Sequence, residues 1–309
     1  MASTNKLRLG KKVLESAKEQ LIALQEREDT GVLVTEIDNE DDDNEEEEEE
    51  DKLESGIIVA TNISLETYQN YYKEEAKLTV DMRLLDGNVI IYEVPLGPHA
   101  AVGGEFTRLM IMWYNNLMVF GDRNVIVSRN SLVRPDVTVQ PNDLPQPVAG
   151  RECDSTGWPY PTVVMEVGLS EGVNSLHTLA RSYFSVRTDI QIYLAIKIYS
   201  RRRNGTRAMV AFLYQRSNFD GRPILVKSFG TAPLRWNTLR FFRNMDVPNQ
   251  AITGVGRTAP PCNGPNIPDY QINIPSNEIF RGSPVGIPPN LVVGFNLDLY
   301  RLQRAALRY

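Results

Sequence analysis

The chain has 309 residues, of which 42% are apolar and 23% charged, so it can bury a substantial core. This composition excludes a wholly disordered or fibrous protein, and the length favours one large domain with appendages. No apolar run approaches the roughly 20 residues of a membrane span, and the N-terminus lacks the apolar stretch of a signal peptide. We therefore expect no membrane association and an intracellular location, cytoplasmic or nuclear. Two cysteines and two histidines disfavour a disulfide framework and a histidine-rich metal site.

Charge is distributed unevenly along the chain. Residues 38–51 hold twelve acidic residues and two asparagines, and without those carboxylates the net charge of −6 becomes +6. A block of like charge repels itself and cannot pack, so we predict a disordered acidic linker over residues 38–54. This linker separates an N-terminal helical arm, residues 1–37, from a core domain at 55–245. A Pro/Gly-rich extension, residues 246–309, is expected to end in a short strand and a helix packed on the core.

The first predicted element in chain order is a helix over residues 6–28, where leucines recur at helical spacing among charged residues. Leu7, Leu14 and Leu21 share one heptad position, but Gly10 falls where the second apolar position of a coiled coil is needed. A single amphipathic helix is therefore favoured over a coiled coil. A second helix is predicted over residues 64–76, because Ser64 suits a helix N-cap. Asp86-Gly87, between two apolar stretches, predicts a two-residue β-hairpin.

The following pattern is typical of a mixed α/β domain. Apolar residues at three- and four-residue steps predict a helix from His99 to Met118. Runs rich in β-branched residues predict strands that are covered on both faces. The predicted strands are 125–127, 135–139, 162–167, 190–199 and 208–214, with a helix at 174–186. Prolines and glycines predict an extended connection over 248–289, and the chain then closes with a strand, Leu291–Val293, and a helix, Leu297–Ala306.

Two acidic residues stand where a strand ordinarily carries an aliphatic side chain. Asp136 follows Pro135 at the start of an apolar strand, and Glu166 ends the run Val163–Met165. A buried carboxylate is unfavourable unless it is paired, hydrogen-bonded or bound to a metal. If the two strands are neighbours, the carboxylates can converge on a hard divalent cation. The alternative is that Asp136 caps a turn and Glu166 pairs with an arginine, and the spacing by itself leaves both interpretations open.

Three segments carry a family resemblance: a Gly-Pro-His before a helix, then RPDVTVQP, then PTVVMEVGLSEG. Together they resemble the Uma-type restriction endonuclease family of the PD-(D/E)XK nuclease superfamily, over roughly residues 78–214. The resemblance implies a restriction-endonuclease-like αβββαβ core, with a mixed sheet flanked by helices, and hydrolysis of DNA phosphodiester bonds with Mg²⁺ or Mn²⁺. It implies Asp136 and Glu166 as metal ligands. It also offers Glu105 as a further helical acid, with a solvated surface glutamate as the alternative.

The sequence departs from the superfamily pattern at two positions. The motif has a lysine two residues after the second acid, and here that residue is Gly168. Two residues are candidate replacements for the missing charge, Lys197 on the following strand and Arg181 on the intervening helix. Such a charge is expected to orient the attacking water and stabilise the transition state. Relatives also tend to carry an acid where this chain has Arg83, so loss of catalysis is a real alternative.

DNA is the expected partner, because positive charge and aromatic rings are concentrated in the second half of the core. The residues concerned are Arg201, Arg202, Arg203, Arg207, Arg235, Arg240 and Arg243, with Trp236, Phe241 and Phe242 between them. His99 matches a histidine of the family and is interpreted either as a phosphate contact or as a capping or packing residue. His177 is interpreted as structural. Nucleases of this kind often act as dimers, so the resemblance also implies a homodimer.

These observations support three hypotheses of function. The first is a metal-dependent endonuclease, and the second is a catalytically inactive nuclease-like fold that serves as a nucleic-acid or protein interaction module. The third makes the N-terminal helix and the acidic segment the functional part, as a chaperone-like or chromatin-associated arm. Under the first two hypotheses, the twelve charges of residues 38–51 predict an internal phosphate mimic that lowers DNA affinity at modest salt.

Overall fold

The computed structural model describes residues 7, 9–30, 56–74, 80–247 and 251–309, so the acidic segment lies outside the described residues. The helices are α1 (Lys11–Thr30), α2 (Leu65–Glu74), α3 (Gly97–Trp113), α4 (Val173–Tyr183), α5 (Trp236–Asn244), α6 (Ser276–Ile279) and α7 (Leu299–Ala306). The strands are β1 (Ile57–Ala60), β2 (Asp81–Leu85), β3 (Asn88–Glu93), β4 (Leu117–Phe120), β5 (Val125–Ser128), β6 (Ser131–Val133), β7 (Val137–Pro141), β8 (Val163–Gly168), β9 (Ile192–Arg201), β10 (Arg207–Gln215), β11 (Leu225–Ser228), β12 (Ile252–Gly254), β13 (Gln271–Ile274) and β14 (Phe295–Asp298).

Within the described residues the strands form sheets of seven, five and two strands. The order in the largest is β12-β11-β10-β9-β8-β7-β4. Strands β4, β7 and β8 pair antiparallel, and β9 joins β8 in parallel because α4 returns the chain to the same edge. Apart from β5 and β6, which belong to the five-stranded sheet, the order α3-β4-β7-β8-α4-β9 is the αβββαβ arrangement that the resemblance implies. The fold is therefore mixed α+β, with a mixed sheet flanked by helices, as predicted.

Both faces of the seven-stranded sheet are buried, because β8 and β9 are apolar at nearly every position. On the face called here the α3 face, Ile196 and its neighbours pack against α3 and α7. On the opposite face, the α4 face, Val164 and Ala195 pack with α4 and α5. Side chains alternate along a strand, so Glu166 and Lys197 lie on the α4 face. The two buried charged residues of the central strands, Glu166 and Lys197, thus lie on the same side of the sheet.

The five-stranded sheet has the order β1-β3-β2-β6-β5 and is antiparallel throughout. Asp86 and Gly87 form the predicted hairpin turn between β2 and β3, with φ values of 49° and 81°. Positive φ at both central residues is the requirement of a type I′ turn, which explains the Asp-Gly pair. Leu21 of α1 and Tyr68 of α2 pack on one side of this sheet in a separate core.

The structure corrects two local predictions. The helix predicted to Met118 ends at Trp113, and Leu117–Phe120 is instead strand β4, paired with β7. A short apolar run fits helix and strand equally, and tertiary pairing decides between them. The predicted strand Leu291–Val293 was also wrong. The chain makes a short 3₁₀ turn there, and the strand is Phe295–Asp298, because it pairs with β13.

The segment predicted as an extended connection contributes to the core on the α3 face. Tyr270, Ile274 and Phe280 are buried in it, on or beside the short elements β13 and α6, which carry weak local signals. Helix α5 was likewise not predicted. Among the described residues, no helix is both long enough and apolar enough to cross a bilayer.

Candidate active site

Asp136 and Glu166 lie next to each other at the β7–β8 edge. Val137 pairs with Met165 in the antiparallel register, so the two acids face each other one position beyond that pair. The Asp136 amide donates to Glu166 Oε2 at 3.3 Å, and the Val167 amide donates to Asp136 Oδ2 at 2.6 Å. Backbone amides of the paired segments therefore hold both carboxylates. The two strands are neighbours, which was the condition for the carboxylates to converge.

Glu166 is almost completely enclosed, with 2% of its surface exposed. The Tyr183 hydroxyl of α4 donates a short hydrogen bond to its Oε1 atom. Burial, followed by the negative charge of Asp136, raises the pKa of Glu166 well above its usual range, while Arg83 lowers it. Its burial thus favours the protonated form of Glu166. Tyr183 was not predicted as a site residue, since a tyrosine on an amphipathic helix is ordinarily a core residue.

His99 of α3 contacts Asp136 directly. Its Nε2 atom lies 3.1 Å from Asp136 Oδ1. Burial lowers the pKa of His99, but the charge and hydrogen bond of Asp136 outweigh it and raise the pKa to about 10. His99 is therefore an imidazolium at neutral pH, fixed at the N-terminal turn of a helix and paired with one of the two acids.

Lys197 lies directly across from Gly168 in the parallel β8–β9 pair, on the same face as Glu166. It is fully buried, and its Nζ donates to the carbonyls of Leu169 and Glu171 at 3.0 Å each. A Cβ at Gly168 would stand 2.7 Å from the Glu171 carbonyl oxygen, so no side chain fits there. The neighbouring strand thus places an ammonium group beside the position where the superfamily motif has its lysine.

Arg83 and Glu171 form a buried ion pair close enough to Glu166 to affect its pKa. Arg83 Nη2 lies 2.5 Å from Glu171 Oε1, and both side chains are nearly inaccessible. The guanidinium carbon also stacks 3.4 Å from the centroid of the Tyr92 ring. Burial lowers the pKa of Arg83, but Glu171 overcomes that effect, and the pKa is raised overall. Arg83 is therefore paired with an acid 88 residues further along the chain, a contact that the sequence does not reveal.

Glu93 was overlooked although it carries the same signal as Glu166, an acid at the end of an apolar strand. It is completely buried and accepts hydrogen bonds from the amides of Leu169, Ser170 and Glu171. The Ser170 hydroxyl adds a further bond at 2.6 Å. Glu93 thus holds the turn after β8, which carries the carbonyls that bind Lys197.

Asp81, at the start of β2, is a further acid, and it lies near enough to Asp136 and Glu93 for their charges to affect it. Burial, then the charges of Asp136 and Glu93, raise the pKa of Asp81 to about 7, while His99 lowers it.

Two predicted site residues lie elsewhere. Glu105 pairs with Arg108 at 2.6 Å on the exposed part of α3, and that hydrogen bond lowers the pKa of Glu105. Arg181 is exposed in the last turn of α4. No hydrogen bond or ion pair among the described residues joins either one to Asp136 or Glu166. Of the two candidate cations, Lys197 is the one that reaches the neighbourhood of Glu166.

The chemistry of the two facing carboxylates fits a hard divalent cation. Mg²⁺ and Mn²⁺ prefer oxygen ligands. The side chains that bind a metal are usually oriented by hydrogen bonds from neighbouring groups, and here the Val167 amide bonds to Asp136 and the Tyr183 hydroxyl to Glu166. Within the described residues, no three His, Cys, Asp or Glu side chains converge as a metal cluster. Asp136 and Glu166 would therefore supply two ligands, and water or phosphate oxygens the others.

No family model matches the chain, and no curated protein matches it. Among solved structures, it is similar to a candidate nuclease belonging to DUF820 from Anabaena variabilis. The sequence identity is 13% and the TM-score is 0.35, and the match covers 54% of this chain and 88% of that one. At such values the similarity carries no argument about function, so the function has to be argued from the residues of this chain.

Proposed function

We propose that this protein is a metal-dependent nuclease that hydrolyses DNA phosphodiester bonds. The observation that carries the proposal is the facing of Asp136 and Glu166 across β7 and β8, with their backbone and Tyr183 hydrogen bonds. The family resemblance, which marks the same two residues, adds independent support. Their role would be to hold Mg²⁺ or Mn²⁺, which acts as a Lewis acid on phosphate oxygens when bound.

Three other residues near the two acids, His99, Lys197 and Arg83, have roles that follow from their contacts. His99 is kept protonated by Asp136, so it can donate to a phosphate oxygen that approaches the N-terminus of α3. The Lys197 ammonium contributes positive charge on the face that carries Glu166. Arg83 offsets part of the rise that burial and Asp136 cause in the pKa of Glu166, which is the direction that the charged carboxylate of a cation site requires.

A second candidate function is a nuclease-like interaction module without catalysis. The contacts of Lys197 favour it, because its Nζ is fully buried and donates to two backbone carbonyls, which is a structural arrangement. An ammonium that must reach a scissile phosphate is ordinarily more accessible than this. In the module, Asp136 and Glu166 would be retained only for the packing of the β7–β8 edge.

Cleavage of supercoiled plasmid and single-stranded DNA, with Mg²⁺ or Mn²⁺, separates the two functions. We expect Asp136→Asn and Glu166→Gln each to lower the rate by about a thousandfold, the equivalent of several kcal/mol of transition-state stabilisation. The matched control is Glu105→Gln, which removes an acid outside the cluster and should leave the rate unchanged. A folded wild-type protein that binds no metal by calorimetry and cleaves neither substrate would refute the nuclease and favour the module.

A further inference from the structure

Helix α5 presents a basic and aromatic side to solvent. Thr238 and Phe242 are buried against the sheet, whereas Trp236, Arg240 and Arg243 recur at four- and three-residue steps on the exposed side. Trp236 is 58% exposed, and the guanidinium of Arg243 lies over its ring at 4.7 Å. A large aromatic ring is therefore displayed at the surface rather than buried in the core.

The turn between β9 and β10 extends this surface. Arg201 and Arg203 are exposed, and Arg202 donates to the Pro233 carbonyl at 2.6 Å, just before α5 begins. The turn and the helix are thus attached to each other. We define the basic surface as the exposed side chains of α5 together with residues 201–205. Arg207 does not belong to it, because that side chain is buried and donates to the Ala306 carbonyl.

The basic surface lies on the side of the sheet that carries Glu166. Tyr199 of β9 hydrogen-bonds Thr238 of α5 at 2.6 Å, and Tyr199 shares the α4 face with Lys197. Ala195 of β9 is paired with Glu166 in the sheet. Arg201 lies six residues after Ala195 on β9. At about 3.3 Å per residue, the basic surface begins about 20 Å from Glu166. Glu166 and helix α5 therefore lie on the same face of the seven-stranded sheet.

We propose that the basic surface binds single-stranded DNA flanking the phosphate that reacts at Asp136 and Glu166. The inference rests on the proposed nuclease function for the identity of that phosphate. Exposed arginines follow a phosphate backbone, and an exposed tryptophan stacks a base that is not already stacked in a duplex. An acidic protein segment would satisfy the arginines but would leave Trp236 without a role.

The test measures DNA binding without cleavage, by fluorescence anisotropy of a labelled 20-nucleotide single strand in EDTA between 50 and 200 mM salt. The variant Arg201→Gln/Arg203→Gln/Arg243→Gln should weaken binding at least tenfold at the lower salt. It should also reduce the slope of log affinity against log salt by about 2, since each single-strand phosphate contact contributes about 0.7. Trp236→Ala should weaken single-strand binding about tenfold and duplex binding far less.

The matched control is Arg301→Gln/Arg304→Gln/Arg308→Gln, which removes three exposed arginines on or just after α7, the helix on the α3 face. Equal losses in both triple variants, or no loss in either, would overturn the proposal. Binding of a synthetic peptide of residues 38–51 but not of DNA would also overturn it. A protein that binds the single strand through these arginines but never cleaves it would refute the proposed nuclease and keep the surface.

Discussion

Two regions of the molecule each contain one of the two histidines of the chain, in opposite environments. In the carboxylate cluster around Asp136 and Glu166, His99 faces an acid, which raises its pKa to about 10. In the aromatic cluster between α4, α5 and β10, His177 accepts or donates one bond with Tyr214 at 2.7 Å and lies beside Phe241. Burial, and then the charge of Arg181, lowers its pKa to about 4.

The difference shows which physical term dominates in each region. Desolvation disfavours both imidazolium ions, and only the histidine with a carboxylate partner recovers the loss. The carboxylate cluster is consequently an arrangement of charges held in pairs and hydrogen bonds, whereas the aromatic cluster is neutral and is stabilised by ring packing. This contrast supports a functional role for the first region and a structural role for His177.

The largest effect is expected from breaking the buried ion pair of Arg83 and Glu171. Arg83→Met leaves Glu171 buried without its partner, so the free energy of unfolding should fall by about 3–5 kcal/mol. Urea denaturation measures this loss. The double variant Arg83→Met/Glu171→Met removes both charges and should recover most of it. A single variant as stable as the wild type would mean that the charges of the cluster are not held as pairs.

A smaller loss is expected from filling the space beside Lys197. In Gly168→Ala the new Cβ meets the Glu171 carbonyl oxygen at 2.7 Å and Leu176 Cδ1 at 2.9 Å. Overpacking of this kind costs about 1–3 kcal/mol, measured in the same denaturation experiment. Gly104→Ala on α3 is the control, because its Cβ would meet nothing within 4 Å and alanine favours a helix. Equal stability of both variants would contradict the close packing over Gly168.

The smallest signal, and the most direct one for the comparison, is the titration of the two histidines. We expect neither Hε1 resonance to titrate between about pH 5.5 and 8.5 in NMR spectra, since the pKa values lie near 10 and near 4. His177→Gln assigns the two signals. A midpoint near the ordinary value of 6.5 for either histidine would contradict the environment described for it.

The same shifts have opposite consequences for stability. The folded-state pKa of His99 is raised, so its contribution is complete below about pH 6.5 and is lost as the pH rises through about 10. The folded-state pKa of His177 is lowered, so its contribution is present above about pH 6.5 and is lost as the pH falls toward about 4.

Local patterns in the sequence predicted much of this protein. The Asp86-Gly87 turn requires positive φ at two successive residues, and the runs ending in Asp136 and Glu166 mark strands in which an acid is out of place. These signals operate within a few residues and survive without knowledge of the fold. They were sufficient for a mixed α/β class and for singling out the two acids as unusual, whereas the αβββαβ order and the metal-ligand role were implied by the family resemblance.

Tertiary structure alone decided which groups meet. The β7–β8 register places Asp136 opposite Glu166, and the β8–β9 register places Lys197 opposite Gly168. The same holds for the pairing of His99 with Asp136 and of Arg83 with Glu171, and for the packing of α5 beside the Arg201–Arg203 turn. Each contact joins residues separated by about 30 or more positions, where no periodicity or turn preference acts. Pairing and burial, which depend on the whole chain, determine those contacts and the charges they stabilise.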